Sequence, residues 1–136
     1  MNRKTVALAA IIVSALLTGC NKPKTSEEAV TARIDSRYAA LIAQDYKKTY
    51  NYYTPSIRNK YDYQAMLPRL ARVKHVSARV LEVNCASPDT CNAEVEIVRD
   101  WEGKPVSARG PKLNKQTVVN PEKWLKSDGE WYFYVE

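Results

Sequence analysis

The spacing of apolar residues changes once along this chain, near Lys74, and that change most constrains the fold. Before Lys74, apolar residues recur at the three- and four-residue intervals of amphipathic helices. After Lys74 they alternate with polar residues, as in strands that bury one face. A chain of 136 residues forms one ordinary domain at most. The pattern therefore predicts an α+β fold in which N-terminal helices pack on an antiparallel sheet.

Three helices are predicted before this change. Thr25 and Glu28 have the spacing of a capping box, which predicts a helix over about 26–43. Asp45 is placed to cap a second helix, and Asp62 to cap a third. Capping is therefore sufficient to explain both aspartates.

Strands are predicted on either side of Cys85 and Cys91, where apolar and polar residues alternate. A change of apolar parity near Leu81 predicts a β-bulge in the first strand. Asn120-Pro121 interrupts the next alternating region, which is predicted as two strand pieces. Asp128-Gly129 lies between two aromatic-rich segments, and this is the strongest hairpin pattern in the chain.

The first 19 residues have the pattern of a secretory signal peptide. Arg3 and Lys4 supply the positive start, and residues 6–17 form an apolar run whose only polar member is Ser14. This run is shorter than the roughly 20 apolar residues that a membrane-spanning helix needs. Residues 1–19 are therefore predicted to be a targeting segment that is removed.

Leu17-Thr18-Gly19-Cys20 resembles the lipobox of bacterial lipoproteins. The resemblance implies cleavage after Gly19, a diacylglyceryl group on the Cys20 sulfur and an acylated amino terminus, so that residues 20–25 form a lipidated tether. Two or more acyl chains hold a protein stably on a membrane. Asn21 follows the cysteine that would be lipidated. A residue other than aspartate at this position resembles the sorting pattern of outer-membrane lipoproteins, which implies an outer-membrane location facing the periplasm. The inner membrane is the alternative. A plain secretory signal with an incidental cysteine is the alternative to lipidation.

The two remaining cysteines are predicted to form a disulfide at a hairpin tip. A turn-rich stretch of five residues separates Cys85 from Cys91, and disulfides persist in the periplasm. Closing so short a loop stabilises by roughly 2 kcal/mol in the chain-entropy model. A redox-active pair is the alternative, but such pairs usually have a two-residue spacer and basic neighbours, whereas Glu82, Asp89 and Glu94 flank this one.

The helical region and the terminal hairpin together resemble the nuclear-transport-factor-2-like superfamily. The matching segments are Tyr38-Ala39-Ala40-Leu41 through Asp45-Tyr46 and Tyr50, Thr54-Pro55-Ser56-Ile57-Arg58, and Trp124 with Asp128-Gly129-Glu130-Trp131-Tyr132-Phe133. The resemblance covers most of residues 26–136 and implies a strongly curved sheet that wraps around helices as a cone. A cystatin-like helix on a sheet is the structural alternative. The superfamily includes isomerases, dehydratases, polyketide cyclases and binding modules, so the fold does not select an activity.

Aromatic residues with polar tips predict a binding surface. The chain has nine tyrosines and three tryptophans but one phenylalanine, and seven tyrosines lie between Tyr38 and Tyr63. Such side chains suit the side of a ligand cavity or a partner-binding face. The residues predicted to form this surface are Tyr38, Tyr46, Tyr50, Tyr53, Trp131 and Phe133. The alternative is that they pack against the sheet while their hydroxyls reach solvent.

No motif in the sequence supplies a recognisable catalytic set. Asp45, Asp62 and the single histidine, His75, are the candidate bases of an enzyme, and basic neighbours disfavour the charged form of His75. One histidine without a nearby acidic cluster does not supply three metal ligands. No catalytic residue, metal or cofactor is therefore assigned.

These features favour an envelope lipoprotein that binds a protein or a small apolar ligand without catalysis. Membrane contact is expected through acyl chains on Cys20, and nucleic acid is not an expected partner. One alternative is a small periplasmic enzyme of isomerase or hydrolase type. Another is a structural subunit of an envelope assembly or secretion machine, with the segment 103–115 as an interface loop.

Overall fold

The computed structural model of the protein describes residues 24–100 and 115–136. The helices are α1 (Ser26–Ile42), α2 (Tyr46–Tyr50), α3 (Pro55–Lys60) and α4 (Tyr63–Leu70). The strands are β1 (Lys74–Ser87), β2 (Thr90–Asp100), β3 (Lys115–Ser127) and β4 (Glu130–Tyr134). The predictions for the signal peptide, the lipobox and Cys20, and most of the predicted loop at 103–115, lie outside the described residues.

Side-chain caps fix where the helices begin. The Thr25 hydroxyl accepts a hydrogen bond from the Glu28 backbone N–H, and the Glu28 carboxylate accepts one from the Thr25 N–H. Asp45 and Asp62 cap α2 and α4 by each accepting a hydrogen bond from a backbone N–H three residues onward. These capping predictions are confirmed. The short helix α3 was not predicted. Pro55 occupies its first turn, where backbone N–H groups have no acceptor within the helix, so proline, which lacks an N–H, removes no helical hydrogen bond.

The four strands form one antiparallel sheet in the order β1-β2-β3-β4. Cys85 pairs with Cys91 in the β1–β2 register, and a disulfide joins them, as predicted. The register shifts between Val80 and Glu82, which places a bulge at Leu81 and confirms that prediction as well.

The β3–β4 hairpin follows from its turn residues. Asp128 and Gly129 have φ angles of 50° and 80°, the positive values that a two-residue type I′ turn requires. The prediction of two strand pieces before this turn is wrong, because β3 continues through Pro121. Among the described strands, β4 pairs only with Lys123–Ser127 of β3, so Pro121 lies where β3 has one neighbour and a residue without an N–H is tolerated.

The core lies between the helices and one face of the sheet, with α1 contacting β1, β2 and β4. Its most deeply buried side chains are Val30, Ile34, Thr49, Cys91, Val95 and Trp124. The Phe133 N–H of β4 donates to the Tyr52 carbonyl at 2.7 Å, and the Thr54 N–H donates to the Phe133 carbonyl at 3.1 Å. The chain between α2 and α3 therefore pairs with the outer edge of β4.

The predicted nuclear-transport-factor-2-like cone is wrong. Within residues 24–100 and 115–136, one helix of 17 residues and three of eight or fewer precede a meander of four strands that pair in sequence order. This is neither that cone nor the single helix on a sheet of the cystatin-like alternative. Apolar periodicity predicts which faces are buried, but several packing arrangements bury the same faces.

Candidate functional site

A buried ion pair joins α1 to β3. Arg37 Nη1 donates to Glu122 Oε1 at 3.1 Å, and the two side chains are 7% and 0% exposed. Tyr38 Oη donates to the same carboxylate oxygen at 2.6 Å, and Trp124 Nε1 donates to Glu122 Oε2 at 2.9 Å. Both oxygens of Glu122 therefore have donors, which offsets the loss of hydration that burial imposes on a carboxylate. We call Arg37, Tyr38, Glu122 and Trp124 the buried cluster.

Burial and charge alter proton binding at two members of the buried cluster. Burial is the largest influence on the pKa of Arg37 and lowers it, but the Glu122 carboxylate, Tyr53 and Tyr38 together more than offset burial, so the pKa of Arg37 is raised. Burial, together with the negative charge of Glu122, also raises the pKa of the Tyr38 hydroxyl. At neutral pH, Arg37 is therefore a cation and Tyr38 a neutral hydrogen-bond donor.

Aromatic rings surround the Arg37 guanidinium. Its Cζ lies 3.9 Å from the centroid of the Phe133 ring, and 5.1 Å and 5.7 Å from those of Tyr38 and Tyr53. Arg37 Nε is buried and has no hydrogen-bond partner within the described residues. One donor of this guanidinium therefore has no acceptor in the part of the chain described.

A cavity of about 160 Å³ adjoins the buried cluster, between α1, α4 and the helix-covered face of the sheet. We call it the arginine cavity. Its basic lining residues are Arg37, Arg69, Arg99 and His75, and none of the described residues that line it is acidic. Tyr38 and Tyr53 supply the aromatic part of the lining. The site is therefore a concave one, lined by basic and aromatic side chains.

His75 is held in this lining by β1, opposite Arg99 of β2. Its ring centroid lies 5.9 Å from that of Tyr38, and its Nδ1 is buried without a hydrogen-bond partner within residues 24–100 and 115–136. Burial lowers the pKa of His75, and the positive charges of Arg37 and Arg99 lower it further. The imidazole is therefore neutral at pH 7.

The other two arginines of the lining come from different elements, Arg99 from β2 of the sheet and Arg69 from α4. Arg99 Nε and Nη2 donate to Gln116 Oε1 at 3.2 Å and 3.0 Å, which orients this guanidinium on the sheet. Arg69 lies in the last turn of α4 with an exposed side chain, and its Cζ is 5.9 Å from the centroid of the Tyr61 ring. Arg69 forms no ion pair with any residue of the described ranges.

Three of the six residues predicted to form a binding surface meet at this site. Tyr38 and Tyr53 line the arginine cavity, and Phe133 packs against Arg37. The other three, which pack into or against the core, are Tyr46, Tyr50 and Trp131. Three of the six therefore lie at or beside the cavity and three pack in or against the core, and the binding role of all six stays a prediction.

Of the three candidate bases, only His75 lines the arginine cavity. Asp45 and Asp62 cap helices with exposed side chains, as the capping interpretation predicts. Among the residues that the structure describes, no group of three His, Cys, Asp or Glu side chains could hold a metal ion.

The sequence patterns did not identify the arginines of the site or Glu122. Arg37 lies three residues after Ile34 and four before Leu41, which is the spacing of the buried face of α1. Glu122 lies two residues before Trp124 and therefore on the same face of β3. These positions on buried faces are a weak indication that each side chain is buried, but they do not show that the two residues pair.

A larger depression of about 600 Å³ lies along β1, β2 and β3. Most of its lining side chains are exposed, and the charged ones include Glu82, Glu94 and Lys123. Glu122 of the buried cluster also lines this depression, and of its other lining residues only Ala93 is buried.

Comparisons with known proteins identify the fold and no family. No family model matches the sequence, and no curated protein matches it. A SEC-C motif containing protein from Rhodopseudomonas palustris, solved in solution, is similar with a TM-score of 0.58 and 22% identity over 75% of this chain and 72% of that chain. The crystal structure of a SEC-C motif containing protein from Psychrobacter arcticus is similar with a TM-score of 0.57 and 16% identity over 77% of this chain and 59% of that chain. At these identities the likeness shows the fold alone, and it supports the correction of the nuclear-transport-factor-2-like prediction.

Proposed function

We propose that this chain is a lipid-anchored envelope protein whose domain binds a small ligand in the arginine cavity without catalysing a reaction. The observation that carries the binding role is the cavity itself, where basic and aromatic side chains from α1, α4 and the sheet converge. A concave site with a few convergent polar groups is the usual form of a ligand site. The basic lining favours a polar ligand over the small apolar ligand that the tyrosines predict.

The composition of the cavity favours binding over catalysis. General acid–base chemistry needs a base and an acid within reach of one substrate. His75 is a neutral imidazole at the cavity, but Tyr38 is a poor acid because its pKa is raised. Glu122 already accepts hydrogen bonds from Arg37, Tyr38 and Trp124.

The cysteines support the lipid anchor. Cys85 and Cys91 form the disulfide, which leaves Cys20 as the remaining cysteine of the chain's three. Disulfides persist in oxidising compartments such as the periplasm. Among the described residues, no helix has the length and apolar character needed to cross a bilayer. The lipobox resemblance assigns membrane attachment to Cys20, and Asn21 favours the outer membrane facing the periplasm.

The anchor is tested by metabolic labelling of the full chain with a palmitate analogue in a Gram-negative host. The wild-type chain is expected to carry the label and to lack residues 1–19, because acylation and cleavage both require the Cys20 thiol. Cys20→Ala should lose the label and retain residues 1–19. The control is Cys85→Ala/Cys91→Ala, which should keep the label. An unlabelled wild-type chain, or label on Cys20→Ala, would contradict the proposal.

The binding role is tested by NMR of the ¹⁵N-labelled protein with a set of small neutral polar and apolar probes. At least one probe is expected to shift amide signals of residues that line the arginine cavity. Val118 lines the cavity, so Val118→Trp should fill it and abolish these shifts. The adjacent Val119 is 53% exposed and does not line it, so Val119→Trp is the matched control and should bind normally. Shifts that Val118→Trp leaves unchanged would exclude this cavity as the site.

A further inference from the structure

The first strand of the sheet has a free edge. Within residues 24–100 and 115–136, β1 pairs only with β2, and no other segment forms a backbone hydrogen bond with its outer edge. The opposite edge of the sheet is paired, because the chain between α2 and α3 bonds to β4. β1 has 14 residues, more than most strands of globular proteins. A free edge of this length presents N–H and C=O groups to which another strand can bond.

The apolar residues of β1 are less covered than those of β2. On the helix-covered face of the sheet, the apolar residues of β2 are buried, whereas their neighbours in β1 are only partly buried. The β2 residues are Cys91, Ala93, Val95 and Ile97, and the β1 residues are Cys85, Val83, Val80 and Ala78. Leu81, at the bulge of β1, is 42% exposed. The helices therefore leave an apolar margin along the free edge.

A like-charged pair on the other face of the sheet lacks a cation. Glu82 of β1 lies directly opposite Glu94 of β2, and both are exposed. Like charges in directly opposite positions destabilise a sheet. Neither carboxylate forms an ion pair with any residue that the structure describes. A cation brought to the free edge beside Glu82 would offset this repulsion.

Arg79 of β1 is the cation placed to do so in a second molecule. Its Nε and Nη2 donate to Glu96 Oε1 of the same chain, at 3.3 Å and 3.1 Å. A guanidinium has five N–H donors, so those of Nη1 remain for a second carboxylate. The Arg79 side chain is 70% exposed and is therefore accessible from the free edge.

We propose that β1 pairs with β1 of a second copy of this chain, antiparallel and related by a two-fold axis between Val80 and Leu81. In this register Arg79 lies opposite the second copy's Glu82, and Glu82 lies opposite the second copy's Arg79. Each copy therefore supplies the cation that the other's Glu82 lacks. Opposite charges in directly opposite positions favour strand pairing, and a two-fold axis makes both pairs identical.

The bulge in β1 makes this register compatible with the faces of both strands. Arg79 and Glu82 are three positions apart, which in a regular strand would place them on opposite faces. Because the bulge at Leu81 inserts one residue, they instead pair with Glu96 and Glu94, which are two positions apart in β2 and share its exposed face. The bulge therefore places a cation and an anion on one face, at symmetric positions about the axis.

The same register accounts for the apolar margin. Ala78 lies opposite the second copy's Val83 on the helix-covered face, and Val80 lies opposite the second copy's Leu81. Removing these partly covered residues from water favours association. Bulges and charged side chains usually keep an edge strand from pairing with a foreign strand. Here they restrict pairing to a strand with complementary charges and a bulge at the same place, which is a second copy of this chain.

The test measures self-association of the full chain in a nonionic detergent by sedimentation equilibrium, with the detergent density-matched to the solvent. One strand pair is a smaller interface than the roughly 1,600 Å² of a standard protein complex. We therefore expect a Kd on the order of 10–100 µM and a monomer at low micromolar concentration. Residues 77–84 do not line the arginine cavity, so this result is separate from the proposed binding role.

Charge reversal tests the register. Arg79→Glu places carboxylates opposite each other at both symmetric positions, and Glu82→Arg places guanidinium groups there. Each variant alone should raise the Kd about tenfold or more, because two attractive pairs become repulsive. An equimolar mixture of the two variants should dimerise like the wild type, since opposite charges then meet at both positions. The double variant Arg79→Glu/Glu82→Arg should recover for the same reason.

Lys123→Glu is the matched control. Lys123 is exposed on the same face of the sheet but lies in β3, so the same change of charge should leave the Kd unaltered. Circular dichroism and urea unfolding verify that each variant folds. Glu82→Arg removes the like-charged pair with Glu94, so its monomer should be at least as stable as the wild type although its dimer is weaker.

Three results would overturn the inference. The first is a wild-type chain that stays monomeric at several times the expected Kd. The second is a dimer that Glu82→Arg weakens no more than Lys123→Glu does. The third is a mixture of the two folded single variants that remains monomeric, which would show that the strands do not meet in this register. If Arg79→Glu does not fold, the comparison of Glu82→Arg with Lys123→Glu decides.

Discussion

Replacing Arg37 with methionine is expected to lower the free energy of unfolding by about 3–5 kcal/mol. The substitution keeps much of the side-chain volume but leaves the Glu122 carboxylate, which is 0% exposed, without its cationic partner. Hydrogen bonds from Tyr38 and Trp124 to that carboxylate remain, so part of its charge is still stabilised. A domain of this size is normally stable by only about 5–15 kcal/mol, so the loss is a large fraction of the total.

Glu122→Leu is expected to be at least as destabilising as Arg37→Met. It leaves the Arg37 guanidinium buried without a carboxylate, and it also removes the acceptor of the Tyr38 hydroxyl and of Trp124 Nε1. The double variant Arg37→Met/Glu122→Leu should lose less than the sum of the two single losses, because it leaves no unpaired charge.

The matched control is a second Arg–Glu pair with the same separation. Arg79 Nη2 and Glu96 Oε1 are 3.1 Å apart, but their side chains are 70% and 34% exposed. Arg79→Met should lower the free energy of unfolding by at most about 1 kcal/mol, because exposed pairs contribute little. Urea unfolding followed by tryptophan fluorescence and circular dichroism measures all four variants. Equal losses for Arg37→Met and Arg79→Met would show that burial of the first pair adds nothing.

Local sequence patterns were sufficient where the interaction itself is local. Thr25 and Glu28 form the predicted capping box, and Asp128-Gly129 forms the predicted turn, because each depends on residues only a few positions apart. The disulfide between Cys85 and Cys91 belongs to the same class. The packing of the helices on the sheet depends instead on surfaces that are distant in sequence. The predicted nuclear-transport-factor-2-like arrangement was wrong for that reason.

The candidate site was only partly predictable for the same reason. Arg37 and Glu122 are 85 positions apart, and neither residue identifies the other before the chain is folded. An arginine on an amphipathic helix normally extends its charged end to solvent, so Arg37 gave no strong indication of burial. Tyr38 and Tyr53 were predicted as binding residues from their aromatic character. Arg69 and Arg99 were not, because single basic residues are common on helices and strands.

Trp124→Ala is the second substitution with a large expected effect, a loss of about 3–5 kcal/mol in the free energy of unfolding. Trp124 is 0% exposed, its ring centroid is 5.8 Å from that of Phe133, and its strand partner in β2 is the disulfide-bonded Cys91. Truncation to alanine therefore removes a large apolar group from the centre of the core and leaves a cavity.

Trp124→Phe separates the hydrogen bond from the loss of volume. Phenylalanine keeps most of the ring contact but has no donor for Glu122 Oε2, which Trp124 Nε1 approaches to 2.9 Å. We therefore expect an intermediate loss of about 1–3 kcal/mol, since a buried carboxylate oxygen is left with one donor fewer. Leu125→Ala is the control, because the adjacent side chain lies on the opposite face of β3 and is only partly buried, so its loss should be the smallest. If Trp124→Phe were as stable as the wild type, the indole N–H would contribute nothing net, and the buried cluster would depend on Arg37 and Tyr38 alone.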